Sequence, residues 1–156
     1  MKVLTVRWPW AILIVKRFKD VENRSWVNHH RGPVLIHLGS WWVEREALSL
    51  YRRVGKLEPN CLHSLGRFES WTGRRTAGGR VVGCKLHTAL GAIIGQVDLV
   101  DIAPSTSKWA EPGQKHWQLA NPVEFREPIA CKGKQGLFNL PVELEEKVRT
   151  QLEMSR

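Results

Sequence analysis

What most constrains this chain is a succession of short strand-like segments with no regular alternation of helices between them. Val3 to Trp8 alternates well enough for a first strand. Residues 20–27 make a second, and Pro33 to Leu38 a third that is almost wholly apolar. Ile93 to Ile102 alternates again, Trp117–Leu119 and Val123–Ile129 supply more strand material, and Gly136–Leu140 a last short piece. A period of two is the mark of a chain that turns alternate side chains to opposite faces. Helical spacing occurs at three places. Trp10, Leu13 and Ile14 stand at i, i+3 and i+4 behind Pro9, which predicts a short helix over 9–17. Val43, Ala47, Leu50 and Val54 form the stripe of a helix from Trp42 to Val54, closed by Gly55. Pro141 opens a closing helix over 141–154, with Leu144, Val148 and Leu152 on one face. Five to six strands with helices at three places predict an α+β fold, a small mixed β-barrel with flanking helices. The length of 156 residues, with no repeat or linker, reads as one domain over 1–156. Residues 58–80 stand apart as a basic, Gly-rich insertion around Trp71, and residues 103–116 read as a long loop.

The second strand carries the chemistry. Lys19-Asp-Val-Glu22-Asn23-Arg24-Ser25-Trp26 packs opposite charges, an amide, a hydroxyl and an indole into eight residues. Glu22 and Arg24 share a strand face, and Trp26 follows them. A carboxylate and a guanidinium so placed hold each other and offer a ligand an acceptor and a forked planar donor. Lys19 is out of phase and joins them only from the turn before the strand. The same pattern also fits an ordinary ion pair on a barrel wall.

Arg7-x-Pro9-Trp10-Ala11, Lys19-x-x-Glu22-Asn23-Arg24-Ser25-Trp26 and Arg31-Gly32-Pro33-x-x-Ile36-His37 resemble the opening of an ASCH domain (activating signal cointegrator homology). The resemblance continues in Gly91-Ala-Ile-Ile-Gly95-x-Val97-x-Leu99-x-Asp101, Trp117-x-Leu119-x-Asn121-Pro122, and Pro128-Ile129-x-x-Lys132-Gly133-Lys134-x-Gly136-Leu137-Phe138. It implies a PUA-like barrel whose cleft takes nucleic acid or a modified nucleoside. Two positions depart from the family pattern. Trp8 stands where Gln is usual, and Arg17 where a Gly ends the short helix, so the turn that aims Lys19 is expected to differ and Arg17 to add charge beside the cleft.

Charge distribution points the same way. The net charge of +9 attracts anionic partners before any specific contact forms. Residues 1–31 hold seven Lys/Arg against Asp20 and Glu22, and residues 60–90 hold five against Glu69. The partner expected is therefore RNA or a single strand, since no groove-filling helix or ribbon for a duplex is evident. Glu22 and Arg24 would orient the ligand, Arg7 and Lys19 would meet phosphate, and Trp8 or Trp26 would stack a base. Trp10 is read as core, with Trp71 and Trp109 as second-rank stacking candidates. Lys132-Gly133-Lys134 would clamp a phosphate in a glycine turn, or form a solvated hairpin tip.

No cofactor or metal is expected. Cys61-x-His63 and Cys84-x-x-His87 have zinc-type donors, but the tight Cys-x-His spacing matches no accepted module. Three widely spaced cysteines suggest reduced thiols and a cytoplasmic protein. Nothing in the sequence reaches a membrane span or a signal-peptide core. Enzymatic alternatives use the same cleft. A ribonuclease needs a base, a cation and an acid, which Glu22, Lys19, Arg24 and His37 supply if they converge. Some ASCH-like proteins are amidohydrolases of acylated cytidine that use Lys, Thr and Glu. Lys19 matches the lysine, but Glu22 stands where that threonine would be. A third alternative is a protein-interaction module with a basic face.

Overall fold

A computed structural model describes residues 1–39, 44–60, 74–75, 81–82 and 89–155. In chain order the elements are β1 (Lys2–Val6), α1 (Trp10–Val15), β2 (Val21–Arg24), β3 (Gly32–Leu38), α2 (Glu44–Leu57), β4 (Arg74–Arg75), β5 (Val81–Val82), β6 (Ala92–Ile102), β7 (Lys115–Ala130) and β8 (Leu137–Asn139). A 3₁₀ turn at Val142–Leu144 then leads into α3 (Glu145–Met154). Six strands form one curled sheet in the order β2-β7-β6-β3-β1-β8, a half-barrel of the α+β, PUA-like kind expected. β1 runs parallel to β3, and every other pairing in this sheet is antiparallel. β4 and β5 pair separately.

The sheet is covered on both faces, which is why β3 reads as apolar throughout. Val34, Ile36 and Leu38 join Leu4 and Val6 against α1, whose Ala11 to Val15 are all buried. Val3 and Leu35 face the other way, with Ile93, Phe125 and Ile129, and they are covered by Leu144 of the 3₁₀ turn and by Val148 and Leu152 of α3. Each such aliphatic side chain fully withdrawn from water contributes about 1.5–3 kcal/mol. α1 can lie close on the sheet because position 95 has no side chain. A Cβ on Gly95 would come within 2.4 Å of the Val123 carbonyl and 2.7 Å of Val15 Cγ1.

Several boundaries differ from the expectations. β1 ends at Val6, two residues early, because the chain turns there towards α1. α2 runs through Gly55 to Leu57, since Leu50, Val54 and Leu57 continue the apolar stripe against the core. The two strand pieces predicted around residues 117–129 are one strand, β7. Asn121 absorbs the break as a bulge with φ of 49°, a conformation asparagine tolerates, and its Nδ2 donates to Asp98 Oδ2 at 2.9 Å. Most of the insertion at 58–80, with Trp71, lies outside the described residues, as do Cys61, His63, Cys84, His87 and Trp42. Among the described residues no group of three metal-ligating side chains comes together, and no helix is long and apolar enough to cross a membrane.

Candidate functional site

The site begins at the C-terminus of α1. Phe18 N–H bonds the Leu13 carbonyl at 2.9 Å and Arg17 N–H the Ile14 carbonyl at 3.1 Å. These two bonds form a Schellman motif with Arg17 at its left-handed position, φ 69°. The turn therefore keeps the shape a glycine would give it, with an arginine held in a conformation that costs an L-residue about 1–2 kcal/mol. Arg17→Gly is accordingly expected to raise stability by about 1 kcal/mol, read as a higher urea midpoint at unchanged slope. Arg17 lines a depression with Leu119 and Pro122 that borders the cleft at Lys19, and it is not itself among the described residues that line the cleft.

The turn delivers Lys19 inward, where it is buried with Glu22. Lys19 Nζ donates to Glu22 Oε2 at 2.9 Å and to the Val21 carbonyl. Arg24 Nη2 lies 3.1 Å from Glu22 Oε1 and donates to the Thr5 carbonyl at 2.8 Å. Glu22 thus has a cation on each oxygen, and the side chains of Lys19 and Glu22 are only 3% and 9% exposed. At least two of the three ammonium donors of Lys19 are engaged in the protein. It is the counter-charge of Glu22, held from a buried position at the wall of the cleft where a phosphate contact was expected.

Next along β2, Asn23 ties the strand to the 103–114 loop. Its Nδ2 donates to the Trp109 carbonyl at 2.8 Å and its Oδ1 accepts from Glu111 N–H at 3.0 Å. Trp109, 4% exposed, donates its Nε1 to the Phe18 carbonyl at 2.6 Å. Trp10 meets it edge-on, ring centroids 6.1 Å apart. α2 closes this side. Arg53 pairs with Glu111 at 2.9 Å, Lys108 pairs with Glu58, and Arg53 lies 5.8 Å from the Trp10 ring centroid. The result is a cavity of about 540 Å³ lined by Arg7, Lys19, Arg24, Arg53, Lys56 and Lys108, by Glu22 and Glu111, and by Trp10 and Trp109. Among the described residues, six cations face two carboxylates.

Two tryptophan expectations are reversed. Trp8 is 3% exposed and packed in the core with α1, so its ring is not available to stack a base. The chain leaves β1 at Val6 and takes this indole inward, where its large apolar area is best buried. Trp10, expected in the core, does pack against it but is only half-buried and also lines the cavity. Arg53, Lys56 and Lys108 were not singled out by sequence. Their one local signal was an i, i+3 pair of cations on the polar side of α2.

Trp26 lies elsewhere. It packs edge-on against the fully buried Trp117 at 4.6 Å and accepts a 3.1 Å bond from Trp117 Nε1 at its carbonyl. It lines a second cavity, of about 820 Å³, with Thr5, Arg24, His37, Lys132 and Lys134. His37, 1% exposed, donates Nε2 to the Cys131 carbonyl at 2.9 Å. Burial holds its imidazole below the ordinary value, with bonds to the backbone of Cys131 and Gly91 partly opposing. The ring is thereby kept neutral, as a support for the 131–136 turn. Burial likewise pushes the Cys131 thiol up, so it is not an activated nucleophile. Lys19, Glu22 and Arg24 line the first cavity and His37 the second, so the four groups that a ribonuclease would use do not line one pocket.

A family model for the ASCH domain matches residues 4–129. The chain belongs to the ASCH domain family. No curated protein matches it significantly. Within this ASCH domain the matched span holds all of the first cavity's described lining, from Thr5 to Pro112. It ends before the Cys131–Gly136 turn, so the second cavity is built partly from residues beyond the matched family region.

Proposed function

We propose that this ASCH domain binds single-stranded nucleic acid, RNA foremost, and receives an unstacked base in the first cavity. The observation that carries the reading is the first cavity's lining, six Lys/Arg against two carboxylates beside a half-buried Trp10. Its volume of about 540 Å³ lies within the range of small-ligand sites. The cations would draw in and position phosphate, without reading sequence. Trp10 would stack the base, which suits any base because each has a π-face. Asn23 and the Glu22–Arg24 pair, already fixed by their own partners, would present polar edges to it. Membership of the ASCH family is consistent with RNA binding.

The test is fluorescence anisotropy with end-labelled single- and double-stranded RNA and DNA over a salt series, followed by a denaturing gel of the same samples. Saturable binding of intact single strands, weakening linearly in log–log against salt, is the expected result. Probe shortened in proportion to protein and time, and spared by Glu22→Gln at a temperature where that variant is shown to be folded, would replace the reading with a ribonuclease. Absence of binding at low salt would overturn it in favour of a modified nucleoside or an acidic protein partner.

A further inference from the structure

The two cavities are distinct but adjoin. Thr5 and Arg24 line both, so the guanidinium of Arg24 stands at the junction. It is held there by the Thr5 carbonyl and Glu22, and among the described residues its Nε has no acceptor. Beyond it, the second cavity's lining has Lys132 and Lys134 as further cations and, among the described residues, no carboxylate. Trp26 adds an indole, and both lysines are exposed at the mouth.

The turn that carries these lysines is built, not merely present. Cys131 N–H bonds the Gly91 carbonyl at 3.0 Å, the Cys131 carbonyl accepts from buried His37, and Thr5 Oγ1 donates to the Lys134 carbonyl at 3.0 Å. Between them Gly133 lies so close that a Cβ there would be 2.6 Å from His37 Cε1 and 3.2 Å from Thr5 Oγ1. A solvated hairpin tip has no need of a buried histidine, a threonine hydroxyl and a glycine to fix two exposed lysines against one groove.

Resting on the nucleic-acid reading above, we infer that the ligand is a continuous strand of at least two nucleotides that crosses Arg24. One base occupies the first cavity, and the adjoining backbone lies in the second, its phosphates met by Arg24, Lys132 and Lys134 with Trp26 beside the next base. A free nucleoside or mononucleotide fills only half of this surface. The recognised class is therefore oligonucleotide, and each added phosphate in the second cavity steepens the salt dependence by about 0.7 for a single strand.

The test compares a labelled degenerate RNA tetranucleotide with a pool of the four ribonucleoside monophosphates as competitor. The comparison uses the full chain, Gly133→Ala, and the double variant Lys132→Ala/Lys134→Ala. For the unaltered chain the tetranucleotide is expected to bind at least tenfold more tightly than the monophosphates, with the steeper salt slope. In the double variant, whose lysines are both exposed, with Lys134 Nζ 5.9 Å from the Phe138 ring centroid, that ratio is expected to fall towards one and the slope by about 1 to 1.5. Gly133→Ala keeps both lysines but displaces the turn, and should lower the ratio in the same direction. Equal affinity for the two probes, or a tetranucleotide slope unmoved in the double variant, would overturn this inference and leave the first-cavity reading standing. Binding of neither probe would overturn both.

Discussion

Glu22→Gln should lower the stability of the fold by about 3–5 kcal/mol, the usual consequence of breaking a buried ion pair from one side. For a chain of this length that corresponds to a fall of roughly 6–20 °C in Tm. The size of the effect follows from where the charges lie. Lys19 Nζ is 2.9 Å from Glu22 Oε2 and its side chain is 3% exposed, so neutralising the carboxylate leaves an ammonium group buried with no opposite charge. Arg24 suffers less, because its side chain is 21% exposed and keeps the Thr5 carbonyl. Thermal unfolding by near-ultraviolet circular dichroism measures the loss. The apolar double replacement Lys19→Met/Glu22→Leu should recover most of it, since removing both charges removes the desolvation they incur. A Glu22→Gln variant that melts like the unaltered protein yet no longer binds nucleic acid would move the carboxylate from structure to recognition.

Trp10→Ala should weaken single-strand RNA binding by about 1–3 kcal/mol, or about 5- to 150-fold, the range found when a stacking aromatic is removed. Trp10→Phe should keep most of the affinity. The contrast with Trp8 makes the measurement decisive. Trp8 is 3% exposed and packs in the core, so Trp8→Ala is expected to cost about 3–5 kcal/mol of stability as a cavity-forming substitution. Titration of both variants by anisotropy, well below their Tm values, separates a lost ligand contact from a weakened fold. Undiminished affinity in folded Trp10→Ala would remove the indole from the ligand site.

The contrast between these two indoles also shows how far local pattern reaches. Both stand beside the same charged run, two residues apart and on either side of Pro9. Strand alternation would keep Trp8 on a face of β1, and helical spacing would bury Trp10 under α1. The chain leaves β1 at Val6, and that one turn exchanges their roles. Local reading succeeded where the interaction is itself local. Glu22 and Arg24 meet because alternate residues of a strand share a face, and Lys19 meets Glu22 because the turn between α1 and β2 is only a few residues long.

The motifs in their order carried the resemblance to the ASCH family, and the period-two segments with three helical stripes predicted an α+β mixed barrel, because apolar periodicity acts within a few residues. The merger of two strand pieces into β7 was not legible, since it depends on a bulge opposite β6 that only pairing reveals. Nor was the recruitment of Arg53, Lys56 and Lys108, which reach the cavity from α2 and a distant loop. The junction at Arg24 and the anchoring of Lys132 and Lys134 by His37, more than ninety residues earlier, were likewise tertiary decisions. A sequence determines which side chains can share an element. Burial against the rest of the fold decides which of them are left facing a ligand, because that depends on contacts between segments far apart in the chain.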